Sequence, residues 1–322
     1  MKALVFERFG GPDVLRYVEV PDPERRPGSV LVRMKAIGLN FADVYRRRGH
    51  YHLAGSPPYI AGYEGAGVVE WAAPDVPHIR VGDRVSFADV PFANAELVSV
   101  PAERAIPLSD DISFEQAAAL LLQGLTAHYL MNDSYPVRAG EDVLIHAAAG
   151  GVGQLLTQLC KSRGARVLGL TSSAAKREAA LQAGADEVLL YREDWVSQAI
   201  RWSADGQGAH VAYDSVGSTL MESFAAVRSR GAVVFYGMAG GDPPPVDPRM
   251  LMDTSKTLTG GDLWNHVTTR ESRIERSNAL FAAIRQGDLR LGEPRRFSLA
   301  DGSAAHGLLE SRAHAGKIIL IP

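Results

Sequence analysis

Gly150, Gly151 and Gly153 are the residues whose type and spacing point most directly to chemistry. An apolar, strand-like run over 143–147 precedes them, and a helix over 154–163, Gly164 and a second apolar strand over 166–170 follow. A strand, glycine turn, helix and strand within about 30 residues is the size of a dinucleotide-binding unit. Gly150 lets the backbone approach a pyrophosphate, and Gly153 lets the helix pack close to the strand. Free amides from Ala149, Gly150, Gly151, Val152 and Gly153 then face the phosphates. Ala148 stands where the first glycine of G-x-G-x-x-G belongs, so the fingerprint is incomplete. A glycine-rich turn of another α/β fold is the plain alternative.

The next strand end bears on which nucleotide binds. NAD-selective sites place an acid about 20 residues beyond the turn, on the ribose 2′-OH. Here that distance lands on Ser172 and Ser173, and no Asp or Glu lies between Val167 and Arg177. Lys176 follows closely, which suits a 2′-phosphate and favours NADPH, with Ser172 or Ser173 adding a hydrogen bond. Arg177 reads as part of a solvated helix face.

The elements that position these groups follow from periodicity. Residues 1–110 are β-rich, with short apolar strands separated by Gly, Pro and Asp turns. One helix fits 40–48, with Asn40 as its cap and Phe41, Val44 and Tyr45 on one face. Ser113 and Gln116 have capping-box spacing, and an apolar helix runs on to Leu122. Gly124 is expected to break it before a second helix over 125–131. From 143 to 261 six strands alternate with helices, the pattern of a doubly wound parallel sheet. Ligands sit at the carboxyl ends of such strands, which directs attention to Thr171, Tyr191, Asp214, Ser215, Gly237, Met238 and Ala239. Pro243–Pro245 reads as a local turn. A helix over 270–286, strands over 296–299 and 317–321 and a helix over 303–312 return to complete the first domain.

The chain has 322 residues, enough for two domains, and a net charge of −3, so no basic field favours nucleic acid. Its one cysteine, Cys160, lies within the helix after the glycine turn and reads as a buried residue. No apolar stretch reaches the ~18–20 residues that span a bilayer, and residues 1–15 lack a signal-peptide core. The expectation is a cytoplasmic α/β protein.

Nine stretches carry a family resemblance: FGGPDVL (9–15), AIGLNFADVYRRRG (36–49), GYEGAGVV (62–69), GDRV (82–85), SFEQAAA (113–119), QGLTAHYL (123–130), HAAAGGVGQ (146–154), YDSVG (213–217) and ESRAHAGKIILIP (310–322). In this order they resemble the zinc-independent, zeta-crystallin-like quinone oxidoreductases of the medium-chain dehydrogenase/reductase superfamily. The resemblance implies a GroES-like β domain from 1–123 and 264–322, a Rossmann domain over 124–263, and hydride transfer in a cleft. It points to Asn40, Asp43, Tyr45 and Thr126 at the nicotinamide, with Asn40 and Tyr45 as the catalytic candidates. It places Tyr191 near the adenosine phosphate, Lys317 on the cofactor, and the backbone around Leu263 on the carboxamide. For Tyr191 a packing role, and for Lys317 a surface position, are the alternatives.

No metal is expected. Zinc sites in this superfamily use cysteine and histidine, whereas here Leu39-Asn40 follows Gly38 and Tyr63 precedes Glu64. Without a Lewis acid to stabilise an alkoxide, an easily reduced acceptor fits better than an alcohol. Quinone reduction by NADPH is the first reading, enone reduction the second, and a non-catalytic NADPH-binding protein, structural or RNA-binding, the third. Tyr51, His52 and Tyr59 in a Pro/Gly loop are expected beside a pocket for a planar ring. Arg46, Arg47 and Arg48 read as a solvated helix end. The resemblance also implies a homodimer joined at the sheet edge formed by 257–260.

Overall fold

Strand Ser29–Leu39 is apolar along most of its length because it is paired on both edges. Glu64–Ala72 runs antiparallel on one side, and Leu97–Pro101 and Ile318–Ile321 share the other. The computed structural model describes residues 1–322. They divide into two units, one of Met1–Gln123, Val267–Phe281 and Leu291–Pro322, the other of Gly124–His266 and Ala282–Arg290. In the first unit a seven-stranded sheet is built around Ser29–Leu39, and a three-stranded sheet joins Arg16–Glu19, Lys2–Phe6 and Tyr59–Ile60. Leu4, Phe6, Val32, Ile37, Phe87 and Leu320 fill the core. Register positions the site: Ile318 pairs with Leu39, which brings Lys317 beside Asn40, and Gly65 pairs with Ile37, which brings Glu64 opposite Gly38.

In the second unit six parallel strands lie in the order Glu187–Leu190, Arg166–Thr171, Asp142–Ile145, Ala209–Asp214, Val227–Phe235 and Thr257–Gly260. The chain enters at the third position and winds outward both ways, so the switch point lies between Asp142–Ile145 and Ala209–Asp214. The glycine turn and Asp214 therefore leave neighbouring strands. No helix is long and apolar enough to cross a membrane.

Two sequence expectations are corrected and one helix is added. Gly124 does not break its helix: Phe114–Tyr129 is continuous and ends in a π-helical turn, Leu130–Ser134. A helical glycine costs about 1 kcal/mol against alanine, and the buried runs on either side of it, Ala117–Leu121 and Leu125–Ala127, offset that cost. An unanticipated helix, Pro248–Thr254, follows the prolines. Asp247 caps it by accepting from Arg249 N at 2.9 Å, and Pro248 suits its first turn. Finally, Arg46 and Arg47 are buried and only Arg48 is exposed. Arg47 donates to Gly10 O and to Glu310, so two of the three arginines fasten the helix rather than solvate it.

Helix Gly302–Ser311 lies so close to Lys2–Phe6 that a Cβ at Gly302 would meet Leu4 Cδ2 at 2.4 Å. The same helix buries His306 completely, with neither ring nitrogen bonded. Burial, aided by the charge of Arg47, pulls this imidazole from 6.5 down to about 3. The folded state therefore refuses a proton that the unfolded chain accepts below pH 6.5. The sign is destabilisation as pH falls from 6.5 toward 3, by about 1.4 kcal/mol per pH unit for an isolated group. We expect urea midpoints to fall between pH 7 and about pH 4.5, and His306→Met to make that fall shallower. An unchanged slope in the variant refutes the assignment.

Candidate functional site

In the first unit the site is a buried polar cluster at the end of strand Ser29–Leu39. Helix Phe41–Arg47 starts there because Asn40 is extended and the Asp43 carboxylate accepts from Asn40 N at 2.9 Å. Glu64 is wholly buried and fully satisfied. Its Oε1 accepts from Leu122 N at 2.6 Å, and its Oε2 accepts from Lys317 Nζ at 2.6 Å and Asn40 Nδ2 at 2.8 Å. Lys317 Nζ and Gln123 Nε2 donate to Asn40 Oδ1 at 2.9 and 3.1 Å. Gly38 makes room: a Cβ there would lie 2.1 Å from Glu64 Oε2. Lys317 is thus buried in an ion pair, not a surface lysine.

Beside the cluster stands an aromatic row. Tyr45 packs on Phe41 at 5.8 Å and meets Tyr51 edge-on at 6.4 Å, and Tyr51 lies 4.4 Å from His52. Arg46 ties the row down, lying 3.5 Å over the Tyr63 ring and 5.0 Å over Tyr51 while donating to His52 O. Burial pushes the Asp43 carboxyl up, against the pull of Arg46 at 3.4 Å. Tyr59 is not in this row. It belongs to strand Tyr59–Ile60 and packs on Phe6 and Phe9.

In the second unit the chain turns sharply at Ala147, whose φ of 48° is left-handed. Gly150 N donates to Ala147 O at 2.8 Å, and helix Gly151–Ser162 begins. The amides of Gly151, Val152 and Gly153 lie in its first turn, where no intrahelical acceptor exists. Cys160 sits inside this helix, fully buried, its thiol pushed up to about 12 by burial, so it is no nucleophile. Thr171 is buried with its hydroxyl unpaired, and Ser172 is exposed. Ser173 caps helix Ala174–Gln182 by accepting from Lys176 N at 3.4 Å, which sets Lys176 in the first turn. Arg177 is not merely solvated, since its Nε donates to Val188 O at 2.7 Å. Ser215 O accepts from Ala239 N at 3.0 Å, which joins two strand-end loops and brings Gly237, Met238 and Ala239 beside Ser215. Thr126 is buried in helix Phe114–Tyr129, and Leu263 is buried in a turn capped by Asp262.

Tyr191 and Asp214 meet around a residue that the sequence reading passed over, His146. Its ring is fully buried, edge-on to Trp195 at 5.3 Å. Ser223 Oγ lies 2.9 Å from its Nε2, and Tyr191 Oη and Thr219 Oγ1 each lie 3.3 Å from its Nδ1. Tyr191 Oη also accepts from Ala147 N at 2.9 Å. Asp214 Oδ1 accepts from Val216 N and Gly217 N, and its Oδ2 from Ser223 and Thr219. Burial acts to raise the Asp214 carboxyl, but His146 and these donors hold it below the usual range, while burial lowers His146. The sequence signals were faint: a histidine ending an apolar strand, and hydroxyls at 219 and 223, one helix turn apart. Glu64 was also missed, although an acid inside an apolar glycine-rich strand demands partners.

The glycine turn is the least forgiving part. A Cβ at Gly153 would lie 2.4 Å from Ala147 O and 2.8 Å from Ala148 Cα, both backbone, whereas one at Gly150 would lie 3.1 Å from Ala147 O. Gly153→Ala is expected to cost about 1–3 kcal/mol of stability and Gly150→Ala distinctly less, as read from denaturant midpoints. Equal effects would show that the helix does not depend on the approach at Gly153.

Residues 26–110 match the family described as alcohol dehydrogenase GroES-like domain, and residues 151–276 the one described as zinc-binding dehydrogenase. The quinone oxidoreductase of Salmonella typhimurium is 41% identical, with 98% of each chain covered. A 2-haloacrylate reductase of a Burkholderia species is 36% identical over 99% of this chain and 98% of its own. The crystal structure of Escherichia coli quinone oxidoreductase complexed with NADPH superposes with a TM-score of 0.96 at 38% identity, covering 100% of both chains. The GroES-like unit, the six-stranded parallel sheet and these full-length similarities agree, and the chain belongs to the quinone oxidoreductase family of the medium-chain dehydrogenase/reductase superfamily.

Proposed function

We propose that this protein is an enzyme that transfers reducing equivalents from NADPH to a quinone without a metal ion. The observation that carries the cofactor choice is the pairing of a glycine-turn helix start with a second strand end that bears Lys176 and no acid. The residues present fit the nucleotide. The first-turn amides of Gly151, Val152 and Gly153 suit a pyrophosphate, and the tight approach at Gly153 seats that helix start. Lys176, with Ser172, takes the 2′-phosphate. Ser215, Gly237, Met238 and Ala239 serve the nicotinamide half from the strand-end loops, with Thr171, Thr126 and the backbone at Leu263 as further contacts.

When bound, NADPH supplies a hydride. The protein's part is to hold and polarise. Tyr45, Tyr51 and Phe41 offer ring faces to a planar acceptor. The Tyr45 hydroxyl is the group proposed to polarise the acceptor oxygen. For Asn40 we propose the capping task its sequence position suggested rather than the catalytic one the resemblance implied, because its amide is committed to Glu64, Lys317 and Gln123. It positions the helix that carries Asp43 and Tyr45. The metal-free reading rests on the residues present, with Leu39 and Asn40 after Gly38 and Tyr63 before Glu64. The cation beside Glu64 is Lys317.

The 2-haloacrylate reductase relative favours a second reading, reduction of an activated carbon–carbon double bond with the same cofactor residues. A homodimer joined through edge strand Thr257–Gly260 belongs to the proposal, supported by that strand's terminal position and by Met252, 71% exposed on the preceding helix. The net charge of −3 speaks against nucleic acid as a partner, and the single buried thiol suits a reducing cytoplasm.

The test is NADPH oxidation followed by absorbance with 1,4-benzoquinone and 9,10-phenanthrenequinone, beside NADH and an enone. Quinone-dependent loss of NADPH, much faster than of NADH, is expected. Lys176→Ala should raise KM for NADPH by roughly ten- to a hundredfold and leave NADH nearly unchanged. NADPH binding without quinone turnover moves the assignment to enones or to a non-catalytic role, and an unchanged NADPH/NADH preference in Lys176→Ala removes the 2′-phosphate role.

A further inference from the structure

The two shortest contacts around His146, Ser223 and Thr219 on the Asp214 carboxylate, fix the arrangement of protons in the cluster. The Asp214 carboxylate can only accept, so Ser223 at 2.7 Å and Thr219 at 2.8 Å both give it their hydroxyl protons. Ser223 Oγ, its proton spent, accepts from His146 Nε2 at 2.9 Å. A neutral imidazole has one N–H, so Nδ1 is bare. Thr219 has no proton left for it, and Tyr191 is the donor to Nδ1 at 3.3 Å. The oxygen of Tyr191 then accepts from Ala147 N at 2.9 Å. The other tautomer would turn Ser223 toward His146 and take a donor from the buried carboxylate.

We propose that Asp214, Ser223, His146 and Tyr191 form a one-directional hydrogen-bond relay that holds the left-handed Ala147 corner of the phosphate turn, making His146 a positioning residue for NADPH. The proposal rests on the NADPH reading above and goes beyond it. Ala147 is not glycine, yet it keeps φ at 48°, a conformation that alanine holds only when its surroundings impose it. Its amide has Tyr191 as partner, and its carbonyl accepts from Gly150 N and limits Gly153. The same Asp214 whose Oδ2 starts the relay holds Val216 N and Gly217 N with its Oδ1, at 2.8 and 3.0 Å. The adenosine-side turn and the loop after Ala209–Asp214 are thereby set by one carboxylate. Tyr191 is in this account tied to the protein, its hydroxyl accepting from Ala147 N and giving its proton to His146.

Three measurements on the full chain test this. First, ¹⁵N shifts of the His146 ring, assigned by their loss in His146→Gln, are expected to show Nε2 protonated and Nδ1 bare. Second, Tyr191→Phe and Ser223→Ala are each expected to weaken NADPH binding roughly tenfold in calorimetric titration, and the double variant no more than the weaker single, because each breaks one chain. Third, hydrogen exchange at the Ala147 amide is expected to accelerate in Ser223→Ala, a residue that does not touch it. An Nδ1-protonated ring overturns the relay, as do losses that multiply in the double variant. If Ser223→Ala fails to fold, the ring tautomer of the wild type still decides. Wild-type protein that does not bind NADPH overturns the cofactor reading and the positioning role together, whereas normal binding with the wrong tautomer overturns the relay alone.

Discussion

The carbonyl of Ala147 is the constraint from which the nucleotide-binding unit is built. It accepts from Gly150 N and stands where any side chain at residue 153 would have to go. Helix Gly151–Ser162 therefore reaches the end of strand Asp142–Ile145 only if residue 153 is glycine. Ala148 N donates to Leu170 O and His146 N to Tyr213 O, so the turn leaves the sheet bonded to both neighbouring strands. A turn that is over-determined on every side can keep a left-handed alanine at its corner. That rigidity is what a site needs if its amides are to meet a phosphate without first being ordered.

The first unit solves a different problem, the burial of charge. Glu64 and Lys317 lie out of water, where separate ions would each cost several kcal/mol. The pair is tolerable because the carboxylate has three donors and the ammonium two acceptors, with Asn40 between them. Such a cluster adds little net stability, but removing one member leaves the other uncompensated. Its worth is directional. Three strand ends and the start of helix Phe41–Arg47 are pinned to one point, and Tyr45 inherits its place from that point.

What was legible in the sequence follows from how local each signal is. The glycine turn, the alternation of strands and helices, and the Ser113–Gln116 capping box are short-range patterns, and the last forms both its reciprocal bonds. Asn40 and Lys317 could be named through the family resemblance, but not the reason for them. Glu64 is 253 residues from Lys317 in sequence, and nothing in either stretch announces the other. Arg47 was misjudged for the same reason, since its partner Glu310 comes from near the other end of the chain. Gly124 was misjudged because propensity, about 1 kcal/mol, is small beside the packing of a mostly buried helix. His146 was passed over because a lone histidine after an apolar strand has no spacing to count.

The chemistry of the relay has an electrostatic logic. A site for a pyrophosphate and a 2′-phosphate must avoid buried negative charge nearby, yet Asp214 is an anion at the switch point of the same sheet. Neutralising it with a lysine would place a second strongly solvated ion in the interior, at the cost that the Glu64–Lys317 pair has to offset. Instead its two oxygens meet four neutral donors, two amides and two hydroxyls. The carboxylate stays ionised because each donor favours the charged form. The group that carries its influence onward is a histidine kept neutral by burial. Positive charge is placed instead on the next strand end, where Lys176 stands half-exposed in a first helical turn. A half-exposed cation costs little to keep there, and in the proposed reading it discriminates a phosphate from a hydroxyl. In the proposed division, affinity for the pyrophosphate comes from oriented neutral dipoles, and selectivity for the 2′-phosphate comes from the charge of Lys176.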